Sequence, residues 1–148
     1  MKLVVSRVRS AKAPWADEAC AEWARRIARY LPFDEKEIRA GSGEDDARAL
    51  LEGLPARGLL VVLDERGDRL TSEGFAALID LAAREAASHL VFAVGGAHGH
   101  TPAVRERAWR VVRMSDLVLA HAVARVVLME QLYRACTIRA GEPYHHAG

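Results

Sequence analysis

Leu59-Leu60-Val61-Val62-Leu63 is the stretch on which the fold of this chain turns. It is a continuous apolar run rather than an alternation of apolar and polar residues, and such runs suit a parallel strand covered by helices on both faces. His89-Leu90-Val91-Phe92-Ala93-Val94 repeats the pattern. Between the two lie a charged loop, Asp64–Arg69 around Gly67, and a helix capped by Thr71 or Ser72, with Glu73 in its first turn and Phe75, Leu78, Ile79 and Ala82 as its apolar stripe. Strand, helix, strand in this order is the repeating unit of a parallel α/β sheet.

The same alternation extends outward. Upstream, Leu3–Val8 is a β-branched strand. A helix opens at Pro14, carries Trp15, Ala19, Trp23, Ile27 and Tyr30 at helical spacing and ends before Pro32. Phe33–Arg39 is a charged edge strand, Gly41–Gly43 a loop, and Ala47, Leu50, Leu51 and Leu54 mark a short helix closed by Pro55 and Gly58. Downstream, Thr101 caps a helix that Pro102 starts and that runs to about Val112. Leu117–Leu119 is expected as a short strand, residues 122–138 as a long helix, and 139–148 as a tail. The expectation is one α/β domain over residues 1–148, with a mainly parallel sheet and helices on both faces.

Length and composition agree. The chain has 148 residues, 51% hydrophobic and 28% charged, which is the composition of one globular domain. No apolar run reaches the length of a membrane span, and the N-terminal apolar run is too short for a signal sequence, so a cytoplasmic protein is expected. Cys20 and Cys136 form no CxxC pair, which leaves no zinc or redox motif. The net charge of +1 argues against a general polyanion binder. It is unevenly spread: the first 74 residues carry 13 basic and 14 acidic side chains, the remainder eight and six.

Ligands of open α/β sheets bind at the carboxyl ends of the strands, which directs attention to the segment after Leu63, the glycines after Val94 and the region around Leu119–His121. Gly95-Gly96-x-x-Gly99 is compatible with a tight turn, a ligand loop or a phosphate cradle; it is not the GxGxxG fingerprint. His98 and His100 flank it without a third metal ligand, so no metal is expected. The last helix is apolar almost all round (Val123, Val126, Val127, Leu128, Met129, Leu132, Tyr133, Cys136), as in a buried helix or a subunit interface. Arg125 lies one turn after His121 on the same face. Pro143-Tyr144-His145-His146 is either a frayed end or a tail with stacking and proton-transfer chemistry.

Taken together, Leu63-Asp64-Glu65-Arg66-Gly67, Leu70–Ala76, Val94–Gly99, Arg125–Ala135 and Gly141–His145 resemble, in order, the motifs of the ribosomal large-subunit pseudouridine N3-methyltransferases of the SPOUT superfamily. The resemblance covers most of the chain and is dense after residue 59. It implies a C-terminal trefoil knot, a homodimer, and S-adenosyl-L-methionine as methyl donor with no metal. The donor would be held by Leu63, Gly95, Gly96, Met114, Ser115, Asp116, Leu117, Val118 and Leu119. It implies a pseudouridine of large-subunit rRNA as substrate, and the low net charge makes the assembled ribosome a better partner than bare RNA. Arg125 is expected to stabilise the N3 anion, and His121, or Tyr144 and His145 from the partner's tail, to accept the proton or hold the base. The chain departs from the family at Ala122, at Ala97-His98 and in a short acidic stretch between residues 40 and 47. The competing readings are a SPOUT enzyme acting on another RNA such as tRNA, a non-catalytic RNA-binding module on this scaffold, and a flavodoxin-like regulator, for which Ser6–Ser10 offers no acidic cluster.

Overall fold

The computed structural model describes residues 1–39, 41–96 and 99–146. Within them strands and helices alternate as β1 (Lys2–Val8), α1 (Pro14–Ile27), β2 (Phe33–Ile38), α2 (Gly43–Glu52), β3 (Gly58–Arg69), α3 (Ser72–Arg84), β4 (His89–Val94), α4 (Pro102–Arg107), β5 (Arg110–Arg113) and α5 (His121–Ala140). The strands form one sheet in the order β2-β1-β4-β3-β5, with every neighbouring pair parallel.

Period-two alternation divides the strand residues between two apolar layers. Leu3 and Val5, Val61, and Leu90, Phe92 and Val94 face the layer built with α1, α3 and α5. Val4, Leu60, Val62, Val91 and Ala93 face the smaller layer that holds Leu50 of α2 and Val104 of α4. The central strands are therefore buried on both faces, which is why they carry continuous apolar runs. Helix ends follow local chemistry. Thr71 Oγ1 accepts from the Gly74 N–H at 3.0 Å at the start of α3, and Ser42 Oγ accepts from Asp45 at 3.1 Å at the start of α2. α5 stops at Gly141 (φ 71°), a left-handed position that glycine takes without strain.

Three boundaries differ from expectation. Asp64–Arg69 is not a loop but the far half of β3, and it pairs with β5 after a bulge: the register passes from Leu63↔Val112 to Asp68↔Val112. Gly67 sits where β5 crosses, and a Cβ there would lie 2.6 Å from Val112 backbone atoms. α4 ends at Arg107 rather than near Val112, because Ala108 turns extended (ψ 138°) and the Trp109 N–H donates to the Leu60 carbonyl at 2.7 Å, returning the chain to the sheet. Leu117–Leu119 is no strand: the fifth strand is Arg110–Arg113, and Leu117 and Val118 stand 76% and 92% exposed.

Candidate active site

The carboxyl ends of β3, β4 and β5 open onto a cleft of about 790 Å³. Leu63, Gly95, Gly96 and every residue from Met114 to Leu119 line it, together with Asp64, Arg66, Arg113 and His121. Three segments far apart in sequence thus meet around one space, at the edge of the sheet where α/β proteins hold ligands. The glycine turn closes on itself through the Gly96–Gly99 bridge, with the Gly99 N–H donating to the Gly96 carbonyl at 3.0 Å. A Cβ on Gly95 would meet Gly99 backbone at 3.0 Å and His100 Nε2 at 3.2 Å, so the turn must be glycine to pack. His100 supports it from behind through Nε2 and the Ala93 carbonyl, 3.1 Å apart. Ala97 and His98 lie outside the described residues.

Buried side-chain polar atoms without a hydrogen-bond partner are uncommon and call for an explanation. Among the described residues they are Arg7 Nε, Arg113 Nε and His121 Nε2. Two of the three belong to residues that line the cleft. Burial holds the His121 imidazole below its ordinary pKa of 6.5; a backbone contact with Gly95 works the other way, and Arg7 and Arg125 add to the lowering. The imidazole is therefore neutral above pH 6.5, and its Nε2 is enclosed at the cleft wall without a hydrogen-bond partner. Cys20 and Cys136 are buried and their thiols pushed up to about 11, which leaves no thiolate nucleophile there.

Arg125 is not among the residues that line the cleft. It is 6% exposed and turns towards the β2 side of the molecule. Its Nε and one terminal nitrogen donate to the two oxygens of Glu35 at 2.8 and 2.6 Å, and the other terminal nitrogen donates to Asp17 at 2.6 Å. Helical spacing correctly puts it one turn from His121, but spacing alone could not reveal two carboxylates on α1 and β2.

The tail is ordered against the other end of α5. The Tyr144 hydroxyl donates to Glu130 at 3.0 Å, and the Arg134 guanidinium lies 4.8 Å from the Tyr144 ring centre. His145 is held from both sides, by Arg134 at 3.2 Å on Nδ1 and by Glu73 at 2.8 Å on Nε2. An arginine can only donate, so Nδ1 accepts, and Nε2 donates to the carboxylate. Burial, then the bond to Glu130, raises the Tyr144 pKa, so this phenol is a hydrogen-bond donor and not a base. In sequence, Glu73 stands in the first turn of α3 and Glu130 and Arg134 stand at i, i+4 spacing on the last helix, but those positions alone assign none of them to the tail. From His121 to Arg134 is thirteen residues of α5, about 20 Å of helix.

Comparison with known proteins matches residues 1–145 to the model of a predicted SPOUT methyltransferase family. The chain belongs to the SPOUT methyltransferase family. Its relatives in that family include a protein of Geobacter sulfurreducens, named ribosomal RNA large subunit methyltransferase H, that is 42% identical over 99% of this chain and 100% of its own. Proteins of the same name from Trichlorobacter lovleyi and Solidesulfovibrio magneticus are 39% and 41% identical, over 99% and 97% of this chain and 100% and 96% of theirs. Among solved structures, the SpoU methyltransferase AviRb of Streptomyces viridochromogenes aligns with 95% of this chain and 61% of its own, at 17% identity and a TM-score of 0.48. No helix of the described residues is long and apolar enough to cross a membrane.

Proposed function

We propose that this SPOUT methyltransferase moves the methyl group of S-adenosylmethionine to N3 of a pseudouridine in large-subunit ribosomal RNA, working as a homodimer on the assembled ribosome in the cytoplasm. The end-to-end match to relatives named for large-subunit rRNA methylation carries the reading. The cleft supports it. Its volume falls in the range of about 300–1,000 Å³ usual for small-molecule sites, and it offers glycine backbone, apolar side chains and an unpartnered His121 nitrogen to a ligand. Leu63, Gly95, Gly96 and residues 114–119 would hold the donor, which supplies an electrophilic methyl on a sulfonium. The trefoil knot implied by the family belongs to this reading; Val94, Gly95, Gly96 and Gly99 bordering one cleft with the 113–119 segment are consistent with it.

The remaining chemistry belongs to the protein. N3–H of pseudouridine is a weak acid, so N3 attacks a methyl carbon well only once its proton is leaving. His121, neutral and with an enclosed, unpartnered ring nitrogen at the cleft wall, takes that proton; His145 cannot while Arg134 fills its acceptor nitrogen. Tyr144 and His145 do not line their own cleft and seat on Glu130 and Arg134, nine and thirteen residues along α5 from His121, about 13 and 20 Å of helix, so they serve the cleft of the second copy. There the partner's Tyr144 and the partner's His145 grip the base, held in place by the partner's Arg134, whose guanidinium pairs with Glu130 of its own helix at 2.6 Å. Arg125, engaged by Glu35 and Asp17, is assigned to positioning the first turns of α5 and not to the anion.

The dimer has a suitable surface. Trp15, Leu117, Val118 and Val123 are exposed large apolar residues, and the Asp17–Arg125 pair brings the start of α1 to the start of α5. The test is transfer of labelled methyl from S-adenosylmethionine by the purified protein to ribosomes lacking the modification, to bare large-subunit rRNA and to tRNA. Label on pseudouridine N3 in ribosomes is expected. Label on tRNA alone, or none on any RNA, overturns the reading.

A further inference from the structure

Three arginines stand at the mouth of the cleft, where β3 and β5 end. Arg66 and Arg113 line it, and Arg69 stands beside them with 74% of its side chain exposed. One carboxylate holds two of them together. Asp116 accepts from Arg69 Nε at 3.2 Å and pairs with a terminal nitrogen of Arg69 at 3.0 Å, so both of its oxygens meet that guanidinium fork. The same carboxylate lies 3.4 Å from Arg113. Arg113 Nε is buried and unpartnered, so Asp116 does not satisfy the pair fully.

We propose that Arg69 and Arg113 form the seat of an RNA phosphate beside the target nucleotide, and that Asp116 is an intramolecular placeholder which this phosphate displaces. The proposal rests on the rRNA reading above. A base that reaches a donor inside the cleft must leave its stack, and its flanking phosphates then lie at the mouth. A guanidinium fork accepts a phosphate as readily as a carboxylate. Asp116 is 58% exposed, and ion pairs that open to solvent are weak, so displacement demands little. The device also fits a chain whose net charge is only +1. Stray RNA must compete with Asp116 for each arginine, whereas a phosphate delivered in register by a docked base replaces it on both.

The test uses full-length protein and ribosomes lacking the methyl, with initial rates and, separately, calorimetric titration of S-adenosylmethionine. Arg69→Ala is expected to raise KM for ribosomes on the order of 10-fold, with kcat and donor affinity unchanged. Arg69→Lys, which keeps the charge but loses the fork, should fall between. With donor saturating, so that any part Asp116 plays in holding it is removed, Asp116→Asn should change the ribosome KM the opposite way, lowering it and steepening its salt dependence. An unchanged KM in Arg69→Ala, a parallel loss of donor affinity in that variant, or a raised ribosome KM for Asp116→Asn at saturating donor each overturns the phosphate seat. If wild-type protein transfers no methyl to these ribosomes, the rRNA reading itself has failed and the seat falls with it.

Discussion

The guanidinium of Arg125 grips the carboxylate of Glu35 across ninety positions of sequence, with hydrogen bonds of 2.8 and 2.6 Å. The pair ties α5, which opens beside the cleft, to the edge strand β2, and Asp17 extends the tie to α1. Removing one partner of such a pair leaves the other charge poorly compensated. Arg125→Ala is therefore expected to lose roughly 3 kcal/mol of unfolding free energy in urea, with methyl transfer lost in step with the folded fraction. A variant of wild-type stability that has lost only transfer would return Arg125 to the chemistry.

The layered fold was legible because its central strands are buried on both faces and say so in unbroken apolar runs. What escaped was governed by contacts distant in sequence. Asp64–Arg69 is charged and resembles a loop, yet it is a strand because β5 pairs with it beyond a bulge. Arg110–Arg113 is only four residues long, too short for a periodic signal. The segments around Leu63, Gly95 and Met114 stand out through family motifs, and they border one cleft. The engagement of Arg125 and the seating of the tail on Glu73 depend on partners ninety and seventy-two positions away, which no local pattern encodes.

Gly67 gives a sharp test of that bulge. A methyl group there would press into the Val112 backbone, which cannot rotate aside as a side chain can. Gly67→Ala should cost about 3 kcal/mol, the upper end for overpacking, measured by urea denaturation. A neutral effect would mean that β5 does not cross β3 at this point.

His121 should behave as a base. His121→Gln is expected to lower kcat roughly 10²-fold or more, with a smaller effect on donor affinity. Because its pKa lies below 6.5, the wild-type rate should fall only as pH drops beneath that value, and the variant should lack this acid limb. An acid limb that survives the substitution would assign it to another group.

Stability should follow the same sign. His100 and His121 are both held below 6.5, chiefly by burial, so the unfolded chain binds protons on these rings more readily than the folded one. Their contribution is present above 6.5 and lost as pH falls through the lowered values. The urea midpoint should decline between about pH 7 and pH 5. The double variant His100→Gln, His121→Gln should show a flatter decline, and an equally steep one would remove both histidines as the cause.

A site shared between subunits predicts complementation. His121→Gln protein and protein lacking residues 143–148 should each be slower than wild type by roughly 10²-fold or more. Mixed dimers should regain activity, since one of their two clefts pairs an intact His121 with an intact partner tail. If mixing restores nothing although mixed dimers form, the tail acts within its own chain.

The most direct measurement is mass mapping of large-subunit rRNA from cells lacking the gene, beside the same cells with it restored. Loss of one methyl from N3 of a single pseudouridine, and its return with the intact gene, is expected. An unchanged map, or a methyl lost from a different RNA, would contradict it.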